Sequence, residues 1–176
     1  MFSSRAHLQK RTPKDGTDRE AYLSLLVDEY LHSSSYEAKL QVLANLANFA
    51  YDPVNYSYIR DVGVLDIFLY VLKNETIGRL IRYAIAGVCN LCLDPLNADY
   101  ILTHLGLKPL FRLLKSSDTD TVADTITTLI YMYNEKTKTE ITDQDVINMM
   151  SNLKTTQDLR IVNLATVFLQ NVCKTT

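Results

Sequence analysis

The chain is predicted to be all-α, a right-handed α-solenoid of about three to four stacked helical repeats. Three observations predict it. First, the stretch from Lys39 to Pro53 recurs from Ile81 to Pro95: Asn48 matches Asn90, Asp52 matches Asp94, Pro53 matches Pro95 and Asn55 matches Asn97, every pair 42 residues apart. Self-similarity at such a period marks architectures in which each unit buries its apolar face only against its neighbours. Second, the repeated stretch carries two apolar stripes at helical spacing, Leu40, Leu43, Ala47 and Ala50 on one and Val42, Leu46 and Phe49 on the other. A helix with two apolar stripes needs neighbours on both sides. Third, only 5 glycines and 4 prolines occur in 176 residues, which suits helices better than a sheet-rich fold.

With 47% of its residues apolar and 22% charged, the chain can bury the continuous core of one ordinary domain. A formal charge of −2 gives no global pull toward nucleic acid or anionic lipid and leaves only local patches for such contacts. No apolar run reaches the roughly 18 residues of a membrane span. Met1 to Arg11 lacks the apolar centre of a secretory signal. The 3 cysteines are an odd number, and Cys89 and Cys92 sit in an apolar run, which points to a reducing, intracellular compartment.

Residues 1–16 read as a flexible basic tail carrying Arg5, Lys10, Arg11 and Lys14, with Pro13 and Gly16 breaking regular structure. It is a solvated tail, an arm for RNA or an acidic partner, or a weak nuclear-import segment. Residues 17–176 form the repeat domain. A capping helix over 17–33 opens with Thr17-Asp-Arg-Glu20 as a capping box. Repeat 1, residues 34–73, starts at a second box, Ser34-Ser-Tyr-Glu37. Its long helix stops at Asp52-Pro53, because proline disfavours helical geometry in the residue before it. A short helix near Val54 to Arg60, a turn at Gly63 and a helix from Val64 to Lys73 complete it. Repeat 2, residues 74–115, has a long helix from Ile77 to Leu93, a short one from Leu96 to His104, a turn at Gly106 and a last helix from Leu107 to Lys115. Pro109 falls in the first turn of that helix, where its missing N–H costs nothing. Repeat 3, residues 116–153, is degenerate: a helix from Thr119 to Tyr133 capped by Asp118, a polar loop over 134–140, and a helix from Thr142 to Leu153 capped by Thr142. Residues 154–176 form a partial repeat whose helix runs from Thr155, its cap, to about Cys173.

The long helices carry aligned polar rows. The first is Gln41, Asn45, Asn48 and Asp52; the second is Tyr83, Gly87, Asn90 and Asp94; the third is Asp124, Thr128, Tyr131 and Glu135. On stacked helices such rows line one concave groove. Asparagine both donates and accepts, so a row of them can hold an extended peptide backbone. The alternative is that Asn48 and Asn90 tie neighbouring helices together, since half-buried polar groups need partners in any case. Tyr51, Tyr83, Tyr131 and Tyr133 add aromatic contacts of the kind favoured at interfaces.

No catalytic layout or cofactor site emerges. Cys89-Asn-Leu-Cys92 has the spacing of a metal or redox pair, but a zinc site takes about four ligands, and Cys173, His7, His32 and His104 supply no second pair. Both cysteines read as small core residues. Asp143 and Asp145 are placed for a helix first turn, where negative charge is favoured. The glycines are isolated, so no phosphate loop forms.

Ala44-Asn-Leu-Ala-Asn48 and Ala86-Gly-Val-Cys-Asn90, each followed by Asp-Pro, resemble the groove-lining third helix of armadillo repeats. The likeness is good from about Ala21 to Lys115, and the run from Gln41 to Leu69 is similar to a small intracellular branch of that family. The resemblance implies a non-catalytic protein-binding scaffold whose asparagines contact partner backbone. It implies an accessory role in the minor (U12-type) spliceosome, beside a protein with an RNA recognition motif, with RNA contacted indirectly and a nuclear, or nuclear and cytoplasmic, location. The general alternative is an adaptor unrelated to RNA processing. The sequence departs from peptide-import relatives, which place tryptophan one turn before the groove asparagine. Ala44 and Ala86 stand there, which argues against nuclear-localisation signals as ligands.

Overall fold

The computed structural model describes Ser3 and residues 18–172. The predicted basic tail, with Arg5, Lys10, Arg11 and Lys14, lies outside the described residues, as do His7, Thr17 and Cys173. The described residues are helical without strands: α1 (Arg19–His32), α2 (Tyr36–Ala50), α3 (Tyr56–Asp61), α4 (Val64–Asn74), α5 (Gly78–Leu91), α6 (Pro95–His104), α7 (Lys108–Leu113), α8 (Thr119–Tyr131), α9 (Lys138–Ile141), α10 (Gln144–Leu153) and α11 (Leu159–Val172). A 3-10 turn over Pro53–Asn55 leads into α3. The chain divides into two compact units, Met1–Asn97 and Ala98–Thr176.

In the first unit α2 packs between α1 and α5, and α5 also packs on α4. The two stripes of α2 are the reason. Leu43, Leu46 and Ala50 are fully buried, and Leu40, Val42 and Ala47 nearly so. Phe49, at the edge, meets Tyr22 with ring centres 5.7 Å apart. In the second unit α8 packs on α11, and α11 on α10, around Ile126, Leu129, Met150 and Phe168. The glycine turns are as expected: Gly63 and Gly106 have φ of 75° and 71°, a left-handed conformation that glycine adopts without strain.

Most helix starts shift from the expected cap. Asp18 caps α1, its carboxylate accepting from Ala21 N–H at 2.7 Å. Ser35 rather than Ser34 caps α2. Its neighbour Ser33 accepts from Ser35 N–H, which leaves Ser35 the hydroxyl that faces the first turn. Asp118 caps α8 as expected. Thr142 does not cap α10, because its hydroxyl donates back to the C=O of Lys138, the first residue of α9, and Asp143 takes the position. Thr155 likewise donates back to Asn152, closing α10, so α11 starts only at Leu159, with Asp158 accepting from Arg160 N–H. The polar stretch after Tyr133 is not all loop. Thr137 donates to Met132 C=O and accepts from Asn134 N–H, and this tight turn launches α9, anchored by fully buried Ile141.

Candidate partner-binding face

Asp52 and Asp94 have local structural tasks. Asp52 accepts from Val54 N–H at 3.3 Å and Asp94 from Asn97 N–H at 3.1 Å, so each starts the helical turn after its proline. Asn55 then folds back to donate to Phe49 C=O at 2.7 Å. Both Asn55 and Asn97 are buried, at 2% and 0% exposure. Repetition of Asp-Pro-x-Asn at a 42-residue step is therefore the signature of a turn. Asp52 also accepts from Ser3 N–H at 3.0 Å. Burial pushes the Asp52 carboxyl up, but the hydrogen bonds from Ser3 and Val54 and the charge of Arg19 outweigh it and hold the group below the usual carboxylate range.

Asn90 joins two helices. Its side-chain N–H donates to Ala47 C=O of α2 at 3.3 Å, and its own carbonyl accepts from Tyr56 O–H at 2.7 Å. For Asn90 the tying alternative describes the geometry. Gly87 is buried, with the Phe68 ring against it, so it offers no side chain and little surface to a ligand. In the second unit Thr128 is fully buried and donates to Asp124 C=O, so of that row Tyr131, 54% exposed, and Glu135 face outward.

What remains outward on α2 is a polar row with aromatic ends. Gln41 and Asn45 bond each other at 3.1 Å, one amide already oriented by the next. The Asn48 side chain is exposed and makes no hydrogen bond with another described residue. Tyr51 is 63% exposed, and Tyr83 on α5 is half-buried. Repeat reasoning missed Arg60 and Tyr56. Arg60 donates to Asp94 at 3.0 Å and to Asn97 at 2.9 Å, bridging α3 to the start of α6. The repeat gives no signal for it, since Leu102 occupies the matching position. Cys92 is buried, its thiol donating to Cys89 C=O, and burial pushes that thiol far up, as a packed core residue requires. Among the described residues no cluster of three or more histidine, cysteine, aspartate or glutamate side chains could hold a metal ion.

Helices repeated at this period, stacked long helix on long helix, define the class: an armadillo-type α-solenoid. Two solved structures agree in fold. Computationally designed armadillo repeat proteins for modular peptide recognition superpose with a TM-score of 0.73 at 18% identity, over 84% of this chain and 63% of that one. A designed armadillo repeat protein in complex with the peptide (KR)4 gives 0.71 at 16% identity, over 84% and 63%. This chain thus spans under two thirds of either design. No protein-family model matches the chain. Armadillo repeat-containing protein 7 of Mus musculus is 43% identical over 157 residues, 88% of this chain and 79% of that protein. The chain belongs to the armadillo repeat-containing protein 7 family.

Proposed function

We propose that this chain is a non-catalytic scaffold that holds an extended segment of another protein along the outward row of α2 and its neighbour Tyr83. The carrying observation is Asn48: an exposed amide with no hydrogen bond to another described residue, one turn from the exposed ring of Tyr51. Such an amide can donate to and accept from a partner peptide unit, and the ring supplies apolar contact area at low entropic cost. The peptide complex of the designed armadillo protein supports the class of partner. The family resemblance supports the particular one, a protein with an RNA recognition motif in the minor spliceosome. RNA is then contacted through that partner, and the chain acts in the nucleus.

Affinity purification from RNase-treated nuclear extract tests both levels. The wild-type chain is expected to retain a splicing protein with an RNA recognition motif. The Asn48→Ala/Tyr51→Ala variant is expected to retain roughly tenfold less of it at an unchanged melting temperature. Recovery of non-splicing proteins alone would refute the spliceosomal role and favour the general adaptor. Full retention by the double variant would refute the face.

A further inference from the structure

A second surface of the first unit shares no residue with that row. Between α1, α2 and α4 lies a cavity of about 490 Å³, a volume typical of ligand sites. Its walls are apolar: Val27 and Leu31 of α1 face Ile67 and Tyr70 of α4, and Leu31 and Tyr70 are 60% and 56% exposed in a unit whose other large side chains are mostly buried. Gly63, with no side chain, lines the cavity as well.

One corner favours positive charge. Lys39 Nζ lies 5.2 Å from the ring centre of Tyr30, so that ring already serves as a cation acceptor. Glu75 lines the same cavity, and burial first, then its negative charge, then Tyr70 push the Tyr30 phenol up to about 12. Glu75 is half-buried and has no ion-pair partner among the described residues. The charged groups lining the cavity are Lys39 against Asp66 and Glu75, so negative charge is in excess.

We propose that this cavity is a second docking site, for a partner-protein segment that presents an apolar side chain beside a lysine or arginine. The apolar residue fills the space between Leu31 and Tyr70, and the cation reaches Glu75. The site does not depend on the α2 row, and its test leaves Asn48 and Tyr51 untouched.

The experiment titrates the full ¹⁵N-labelled chain with two capped tripeptides, acetyl-Leu-Arg-Leu-amide and acetyl-Leu-Glu-Leu-amide. The arginine peptide is expected to shift the Leu31, Gly63 and Tyr70 amides and to bind roughly fivefold more tightly than its glutamate twin. Glu75→Lys, at the position just past the last residue of α4, is expected to reverse that preference at an unchanged melt. Tyr70→Ala is expected to weaken both peptides. Equal binding of the two peptides, a preference that survives Glu75→Lys, shifts confined to Asn48 and Tyr51, or no shift with either peptide would each overturn the proposal.

Discussion

Gly87 leaves no room for a methyl group. A Cβ at that position would lie 2.4 Å from Phe68 Cε2 and 2.5 Å from its Cζ, and Phe68 is fully buried in α4 and cannot swing away. Gly87→Ala is therefore expected to lower stability by about 1–3 kcal/mol, as overpacking does, despite the better helix propensity of alanine. Gly78 is the control. A Cβ there meets nothing within 4 Å, so Gly78→Ala should be neutral or stabilising. Parallel thermal melts check both, and equal effects at the two positions would contradict the packing argument. The repeat put Gly87 in register with Asn45, and so in the polar row. Register shows which positions correspond, but whether a glycine faces a ligand or a neighbouring ring depends on the helix packed beneath it. Asn48 and Asn90 make the same point. They match in sequence, yet Asn90 spends its amide on Ala47 C=O and Asn48 stays outward.

At the scale of elements, the bridge from α3 to the start of α6 rests on Arg60. Its ion pair with Asp94 is about a quarter to a third exposed, so that pair alone contributes little. The larger effect runs through Asn97, which is fully buried, accepts from Arg60 at Oδ1 and already has an unbonded Nδ2. Arg60→Ala strands that oxygen as well and is expected to cost about 1–3 kcal/mol in denaturant unfolding. Arg60→Lys, which keeps the charge but loses the planar fork, should recover only part. A variant as stable as wild type would show that water replaces the guanidinium. The helices themselves were legible in the sequence, since apolar spacing and Asp-Pro breaks depend on residues a few positions apart. Their caps were less so. Adjacent Ser, Thr and Asp residues compete for one position, and Thr142 and Thr155 lose because their hydroxyls already close the preceding helix.

The whole molecule should weaken in alkali. Tyr30 and Tyr56 each titrate near 12 rather than 10, chiefly because burial disfavours the phenolate. The folded state thus holds these protons more tightly than the unfolded chain. The stability they give is fully present below pH 10 and is lost as pH rises from 10 through 12. Melting temperature should fall across that window, and Tyr56→Phe, which lacks the titrating group and its bond to Asn90 C=O, should fall less steeply from a lower start. A profile that stays flat to pH 12 would contradict this. The sequence by itself determined the repeat, the helical class, the glycine turns and the family, because a 42-residue step and a 3.6-residue period are written along one dimension. Only the tertiary structure decided which matched residues are outward. It turned Asp52, Asp94 and Asn90 to structural bonds, buried Gly87, left Asn48 and Tyr51 exposed, and brought Tyr30, Tyr70 and Glu75 to one cavity. Burial and partnering are properties of neighbours far apart in the chain, and no local pattern records them.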